Sequence, residues 1–491
     1  MNWSEVLPEA VAEGAGWRPV TAVTADSRAV VPGTLFFALA GARADGHDYI
    51  GEAVAAGAVG VIAERPVAVP PDTDVAVHPE ARRLLGEAAA RLHGQPSRQL
   101  PVVAVTGTNG KTTVAWLLAG LFERGGVIGT LGWGRAGREQ EAALQPASET
   151  TPDAVTLQDR LERMRRDGIT GVAMEASSHG LDQHRLAGTE LAGAVWTNLS
   201  AEHLDYHRDL AAYRAAKRRL VERPELGFAV INGEDPEAEH FAGAVAPGVA
   251  LWRFGLEAGD VCADEIETRR DGIHLVAATP RGPVTVDSAL VGAVNVPNLL
   301  AAVAVGLALG LDPATVGARL SAPPPVPGRM EDVGATPAGC RVWVDFAHTA
   351  EALERTLAGA GELSAGRLWC VFGCGGERDT AKRAAMGGVA ARLCDRVVLT
   401  SDNPRSEDPE AIIAAIAAGM PAGGALREPD RAAAIRRALE GAGAGDGVVI
   451  AGKGHEDYQE VAGERLPFSD REVVRQWLAP VGEAVGHDDP G

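Results

Sequence analysis

One rhythm constrains the fold more than any other feature of this sequence. Short runs rich in Val, Ile and Ala end in polar or glycine-rich segments and give way to Ala/Leu-rich stretches of helical length. This is the order of parallel α/β domains, because parallel strands buried on both faces read as unbroken apolar runs and need a crossover between them. The expected strands are Val102–Val105, Gly171–Met174, Ala194–Trp196 and Phe228–Ile231 in the middle of the chain, then Arg341–Val344, Leu368–Phe372, Arg396–Thr400 and Gly447–Ile450. The middle set runs into TGTNGKTT, EASSHG and TNLSAEHLDYH; the later set runs into DFAHT, GCGGERD, SDNPR and AGKGHE. Open parallel sheets bind ligands beyond the carboxyl ends of their strands, so these segments mark two loaded sheet edges and imply a cleft between domains.

A chain of 491 residues predicts about three domains. Two breaks place them. The polar stretch His93–Pro101 and the proline-rich Ala322–Gly328 divide the chain into 1–98, 99–325 and 326–491. With 46% hydrophobic and 23% charged residues the composition is that of a soluble globular protein. A net charge of -20 disfavours a nucleic-acid partner, whose phosphates would be repelled over most of the surface. The longest apolar stretch, Leu299–Leu311, is shorter than the roughly 20 residues that span a bilayer and reads as a buried helix. The opening MNWSEVLPEA has no basic segment before an apolar run, so no secretory signal is expected. Cysteines 262, 340, 370, 374 and 394 lack paired metal-ligand spacing, and the expectation is reduced thiols in a cytoplasmic protein.

Only four of the 46 basic side chains are lysine: Lys111, Lys217, Lys382 and Lys453. Where arginine serves for a bare positive charge, the retained lysines are candidates for chemistry that a guanidinium cannot do. Lys111 lies in Gly107-Thr108-Asn109-Gly110-Lys111-Thr112-Thr113, between a strand and a helix expected to begin near Val114. Glycines there let backbone N–H groups approach phosphates, the helix N-terminus adds positive potential, Lys111 reaches the terminal phosphates, and Thr112 can hold Mg²⁺. The string is not the generic P-loop, since Val105 takes the place of its first glycine. Glu175 and His203 lie past strand ends and are acceptable ligands for Mg²⁺ or Mn²⁺. By spacing alone Lys217 reads more readily as a surface residue in the basic run Lys217-Arg218-Arg219, a lone His203 more often as a structural one, and a lysine cation is a poor neighbour for a metal. Asp402-Asn403-Pro404-Arg405 ends in an arginine suited to forked capture of a carboxylate, but it also reads as a turn opening the next helix. Gly452-Lys453-Gly454-His455-Glu456 has the same double reading, and Arg378 in GCGGERD is another possible anion contact.

In this order TGTNGKTT, MEASSHGLDQHR, TNLSAEHLDYH, PGRME, GCGGERD, DNPR and GKGHE resemble the Mur ligases, the ATP-dependent amino-acid-adding enzymes of peptidoglycan synthesis. Within that family the strings are most similar to the branch that adds meso-diaminopimelate to UDP-MurNAc-L-Ala-D-Glu. The resemblance spans about residues 24 to 470. It implies an α/β fold of three domains: a small N-terminal domain for the UDP-substrate, a central P-loop-type parallel-sheet ATPase domain, and a C-terminal Rossmann-like domain for the amino acid. It implies that Lys217 is carbamylated by CO₂, becoming a carboxylate-like ligand, with Thr112, Glu175 and His203 around Mg²⁺. Lys111, Glu175, His203 and Lys217 are then the catalytic set. Asn295, Asn298, Arg329 and Asp345 fall in segments that the family uses around ATP. Ser27, Thr150, Thr151, Ser177, Gln183 and Arg185 fall on contacts to the UDP-MurNAc-dipeptide, and Arg378, Asp402, Asn403, Pro404, Arg405, Gly452 and Glu456 on the amino-acid pocket. The implied protein is a cytoplasmic monomer without a membrane span.

The implied chemistry is attack of the D-Glu γ-carboxylate on the ATP γ-phosphate, then attack of the incoming amine on the acyl phosphate, with water excluded by closure of the third domain. The sequence departs from the family pattern at Ala350, Glu377 and Glu149. These leave room for a Mur-like paralogue with another acceptor or amino acid. A non-catalytic nucleotide-binding protein is the alternative of another class, disfavoured by the retained Lys111, Glu175, His203 and Lys217.

Overall fold

The computed structural model describes residues 1–41, 44–137, 143–200, 202–269, 271–377 and 379–478. Contacts divide the chain into two compact units. The first holds Met1–Asp264, Val276–Val286 and Pro297–Pro324; the second holds Glu265–Leu275, Asp287–Val296 and Pro325 onward.

In the first unit, residues 22–77 form a four-stranded parallel sheet in chain order: Ala22–Thr24, Thr34–Ala38, Ala58–Ala63 and Val75–Val77. Trp3 is fully buried against it. A Cβ at Gly60 would stand 2.1 Å from the indole, so the strand accepts that ring only with glycine there. Helix Ala81–Leu92 puts Ala81, Leu84, Leu85, Ala88 and Ala89 into this core at helical spacing, and Val155 of the next region packs on the same cluster.

The central sheet of the same unit is parallel through Ala250–Gly255, Phe228–Asn232, Gly193–Trp196, Val102–Thr106, Gly171–Glu175 and Gly125–Gly129. Antiparallel Gly132–Arg135 and Ala143–Gln145 extend one edge. Val102–Thr106 is buried throughout, as a strand covered on both faces must be. Its neighbours are the later strands Gly171–Glu175 on one side and Gly193–Trp196 on the other. The chain runs from this strand to Gly125–Gly129 on one side and later crosses back to Gly193–Trp196 on the other, so the loop after Thr106 sits at the switch point where ligand crevices open.

The second unit carries a six-stranded sheet in the order Glu331–Ala335, Arg341–Asp345, Gly447–Ala451, Leu368–Phe372, Arg396–Leu399, Leu426–Arg427. All but the first strand are parallel. Their carboxyl ends deliver DFAHT, GKGHE, GCGG and SDNPR to one edge. Fully buried Arg431 grips Asp470 with two hydrogen bonds, Nε at 2.7 Å and Nη2 at 2.8 Å, and donates to the carbonyls of Ser401 and Ala451. A buried charge is tolerable only when paired and hydrogen-bonded this completely, and here the pair ties two strand ends to helix Asp470–Leu478.

The eight expected strands all form, with boundaries within one residue of expectation. The helix after the glycine loop starts at Lys111, not near Val114, because Gly110 in a left-handed conformation (φ 85°) ends the loop and its carbonyl already accepts from Val114 N–H. The apolar stretch from 299 lies in helix Val296–Ala308. The five cysteines form no disulfide, and among the described residues no helix is long and apolar enough to cross a membrane.

Candidate functional site

In the first unit the site is built on the loop after Val102–Thr106. Gly107 has φ 149°, and a Cβ there would meet Thr197 Oγ1 at 1.9 Å. Only glycine lets this backbone lie against the neighbouring strand end. A Cβ on Gly110 would stand 2.7 Å from Asn298 Oδ1, which places Asn298 beside the loop. The loop is fastened to the end of Gly193–Trp196: Asn109 N–H donates to Asn198 Oδ1 (2.8 Å), and Asn109 O accepts from Asn198 Nδ2 (3.1 Å) and Thr197 Oγ1 (2.6 Å). Thr108 Oγ1 accepts from Ser200 N–H (2.9 Å) and lies 3.3 Å from Tyr213 Oη. Lys111 Nζ curls back to the carbonyls of Gly107 and Thr108, both at 2.9 Å, so the ammonium is held over the loop mouth. Thr113 is buried in the helix behind it.

Lys217 lies within the same cluster and not on the surface. Helix Leu210–Arg218, capped by Asp209, turns it inward to 1% exposure. Its Nζ donates to Gly107 O at 2.6 Å and lies 4.6 Å from the centre of the Tyr213 ring. Burial first, and the Lys111 charge second, push its pKa well below the usual lysine value. Burial thus disfavours the ammonium relative to the free, nucleophilic amine.

Glu175 ends its strand and is 2% exposed. One carboxylate oxygen accepts from Thr130 N–H (2.9 Å), the other from Thr112 Oγ1 (3.0 Å) and Thr130 Oγ1 (3.3 Å). His203 is half-exposed in a left-handed turn (φ 56°), 3.7 Å from Glu202 and edge-on to His179 at 5.0 Å between ring centres. Among the described residues no group of three or more His, Cys, Asp or Glu is spaced to hold a metal. Glu175 and His203 do not make a metal group by themselves, but Mg²⁺ keeps several waters, so a carboxylate and an imidazole joined by one further oxygen donor would be chemically acceptable to it. By donor chemistry these residue types suit Mg²⁺.

Next to Glu175, Thr151 Oγ1 donates to Glu175 O (2.8 Å) and lies 3.0 Å from Ser177 Oγ, while Thr150 Oγ1 lies 3.0 Å from Thr130 Oγ1. Arg185 donates through Nε and Nη2 to Gln183 Oε1 (3.1 and 2.8 Å) and through Nη1 to Thr151 O (2.7 Å) and to Glu149. Thr150, Thr151, Ser177, Gln183 and Arg185 are thus one connected polar wall. Ser27 opens a short 3₁₀ turn capped by Asp26, whose carboxylate also takes Arg28.

In the second unit Asp345 is buried, with Met330 N–H (2.7 Å), Ala347 N–H (2.8 Å) and Thr356 Oγ1 (3.0 Å) all donating to it. It fixes the PGRM turn, so Arg329 is presented beside it with its guanidinium 4.7 Å from the Phe346 ring centre. Asn295 donates to Val291 O (2.8 Å) inside its own short turn. The DNPR and GKGHE segments join directly. Asn403 Nδ2 donates to Glu456 Oε2 (2.9 Å), and Lys453 Nζ, fully buried, donates to that oxygen (2.8 Å) and to Asn403 Oδ1 (3.1 Å). A Cβ on Gly452 would meet Asp402 Oδ2 at 2.5 Å, and Pro404 O closes on Gly376 in the same way at 2.0 Å. Arg405 Nη1 donates to Gly376 O at 2.6 Å. DNPR does not open a helix: the next one starts at Pro409 with Asp408 as its cap. Arg378 lies outside the described residues.

Thr130, Thr197 and Asn198 belong to the first constellation and Glu460, whose N–H donates to Asn403 Oδ1 (2.9 Å), to the second; none was singled out from sequence. Asn198 and Thr197 stand in TNLS, after a strand end, and that position was the available signal. Thr130 and Glu460 carry none.

Three family models match the chain: "Mur ligase family, catalytic domain" over residues 19–94, "Mur ligase middle domain" over 105–306, and "Mur ligase, glutamate ligase domain" over 328–454. A UDP-N-acetylmuramoyl-L-alanyl-D-glutamate--2,6-diaminopimelate ligase of Alkalilimnicola ehrlichii is 45% identical over 489 residues, covering 96% of each chain. One of the same name from Chromobacterium violaceum is 44% identical and covers 95% of each. A solved structure bearing that name superposes with a TM-score of 0.74 at 36% identity, covering 97% of this chain and 98% of that one. A MurF ligase from Thermotoga maritima, solved in complex with ADP, shares the fold at a TM-score of 0.61 and 19% identity, covering 94% of this chain and 97% of that one.

Proposed function

The chain belongs to the Mur ligase family, and from that premise we propose that it joins meso-diaminopimelate to the D-Glu γ-carboxylate of UDP-MurNAc-L-Ala-D-Glu, converting ATP to ADP and phosphate through an acyl phosphate. The observation that carries this reading is the buried Lys217 amine held against Gly107, the first glycine of the phosphate loop.

A carboxylate is a poor electrophile, so it must be activated before an amine can attack. In this reading the loop N–H groups and the start of helix Lys111–Gly120 cradle the phosphates, and Lys111 exchanges its two carbonyl contacts for phosphate oxygens as charge spreads over the transferring phosphoryl group. The γ-carboxylate forms the new P–O bond and ADP departs. The amino group then attacks the acyl carbon, and phosphate leaves from the tetrahedral species. Thr112, Glu175, His203 and carbamylated Lys217 would hold Mg²⁺, which when bound neutralises phosphate charge. Carbamylation joins the neutral Nζ to the carbon of CO₂ and releases one proton, and the same burial that disfavours the ammonium makes that nitrogen available.

The wall of Thr150, Thr151, Ser177, Gln183 and Arg185 orients the dipeptide carboxylates, Ser27 contacts the uridine end, and Asn295, Asn298, Arg329 and Asp345 belong to the segments that the family uses for the nucleotide. Asp402, Asn403, Pro404, Arg405, Gly452 and Glu456, with Arg378, form the amino-acid pocket. Residues 1–98, 99–325 and 326–491 would then serve the UDP-substrate, ATP and the amino acid respectively. The place of action is the cytoplasm, where ATP is found, and the working form is a monomer.

The route is tested with substrate labelled by heavy oxygen in the D-Glu γ-carboxylate. One labelled oxygen per turnover is expected in the released phosphate. Unlabelled phosphate alongside normal product would rule out the acyl phosphate.

A further inference from the structure

Arg405 sits in a backbone conformation that a non-glycine residue adopts only when its surroundings impose it, with φ 54°. The surroundings are a short hairpin, Tyr458–Val461 with Glu464–Pro467. Arg405 N–H donates to Glu460 O at 3.0 Å, and Arg405 O accepts from Ala462 N–H at 2.7 Å, so the arginine forms a one-residue parallel bridge to Val461. Glu460 N–H donates to Asn403 Oδ1 at 2.9 Å. The Glu460 carboxylate stands 3.3 Å from Arg405 Nε, both side chains being three-quarters or more buried. One residue therefore touches DNPR through its N–H, its carbonyl and its carboxylate.

The geometry points to Glu460 as the positioning residue that aims Arg405 at the distal carboxylate of the incoming amino acid, and so as a determinant of specificity for a diamino dicarboxylic acid over lysine. This rests on the reading that DNPR takes the amino acid. A guanidinium has five N–H donors in a fixed fork. Nε faces Glu460 and Nη1 is given to Gly376 O. Among the described residues Nη2 makes no hydrogen bond, so the outer edge of the fork is what remains for a carboxylate. With both inner positions held, the plane of the fork is set before substrate arrives, and a forked contact gains from that preorganisation. Lysine lacks the distal carboxylate, so it draws nothing from the arrangement. The opposing possibility is that Glu460 merely competes with substrate for Arg405, in which case its removal would tighten binding.

The test is steady-state kinetics on the full chain with meso-diaminopimelate and with lysine, for wild type, Glu460→Gln and Glu460→Asp, alongside thermal midpoints. For Glu460→Gln the KM for diaminopimelate should rise about tenfold, with KM for ATP and for the UDP-dipeptide within about twofold. The preference for diaminopimelate over lysine should fall by a similar factor, and Glu460→Asp should recover part of it. An unchanged or lowered KM for diaminopimelate overturns the proposal. So does a parallel rise in all three KM values with a lowered thermal midpoint, which would mark a purely structural role. Should Glu460→Gln fail to fold, Glu460→Asp, which keeps the charge at shorter reach, decides by the same criteria. Wild-type protein that activates the dipeptide but rejects diaminopimelate overturns the functional reading first, and this inference with it, before any variant is compared.

Discussion

Lys217 shows what a single position can demand. Arginine serves almost everywhere else in this chain, yet here a lysine is folded away from water with Gly107 O as a hydrogen-bond partner and Lys111 as a like-charged neighbour. A guanidinium cannot be deprotonated and cannot take up CO₂. Lys217→Arg should therefore lower ligation by about three orders of magnitude or more, while nucleotide binding followed by thermal shift persists. Wild-type rates in that variant would remove the carbamate from the account.

His455 makes a second prediction at this scale. Burial, then Arg329, Arg471 and Lys453, push its pKa down to about 3 from 6.5. As pH falls below 6.5 the unfolded chain takes up a proton that the folded chain refuses, so stability declines with falling pH until the folded pKa is reached. His455→Gln should flatten the decline in thermal midpoint between pH 6.5 and about 5, a window above the usual carboxylate range. An unaltered slope would show that the imidazole is not held neutral.

Among the elements, the strand–loop–helix after Val102 was legible because each level agrees: an unbroken apolar run, glycines where φ must be positive, then a helix. Even so, periodicity placed that helix three residues late, since the loop's own geometry at Gly110 sets its start. Strand Val261–Arg269 exposes its last six residues in succession, so neither alternation nor an apolar run announces it. The partners of Glu175 and Arg405 were hidden for a different reason. Thr130 lies 45 residues from Glu175 along the chain, and Glu460 is further still from Arg405; only the sheet order and the hairpin bring them together.

Arg431 and Asp470, unremarked in the sequence, hold strand ends to a helix, and the prediction there concerns stability. Arg431→Met strands a buried carboxylate and should cost about 3–5 kcal/mol, measured by denaturant unfolding, whereas the double change with Asp470→Leu should recover much of it. A single variant as stable as wild type would contradict this account of the pair.

At the scale of the whole molecule, the four lysines sort by environment. Lys111 faces the loop mouth, Lys217 and Lys453 are buried in separate units, and Lys382 Nζ donates to His348 O at 2.9 Å on an exposed edge. In the proposed reading, phosphate chemistry and amino-acid choice belong to different sheets. Arg405→Ala should raise the KM for diaminopimelate by about a hundredfold and leave the KM for ATP within about twofold, read from initial rates of phosphate release. Equal loss for both substrates would break the assignment of DNPR to the amino acid.

Ligation of one particular amino acid is read most directly from the mass of the product. Purified protein with ATP, Mg²⁺ and UDP-MurNAc-L-Ala-D-Glu is offered meso-diaminopimelate, lysine, ornithine and D-alanine separately, and phosphate release is followed in each. A tripeptide product is expected with diaminopimelate, with one phosphate for each product molecule and little turnover with the others. Folded protein that releases no phosphate with any of them, or that ligates lysine as readily as diaminopimelate, would contradict the proposed function.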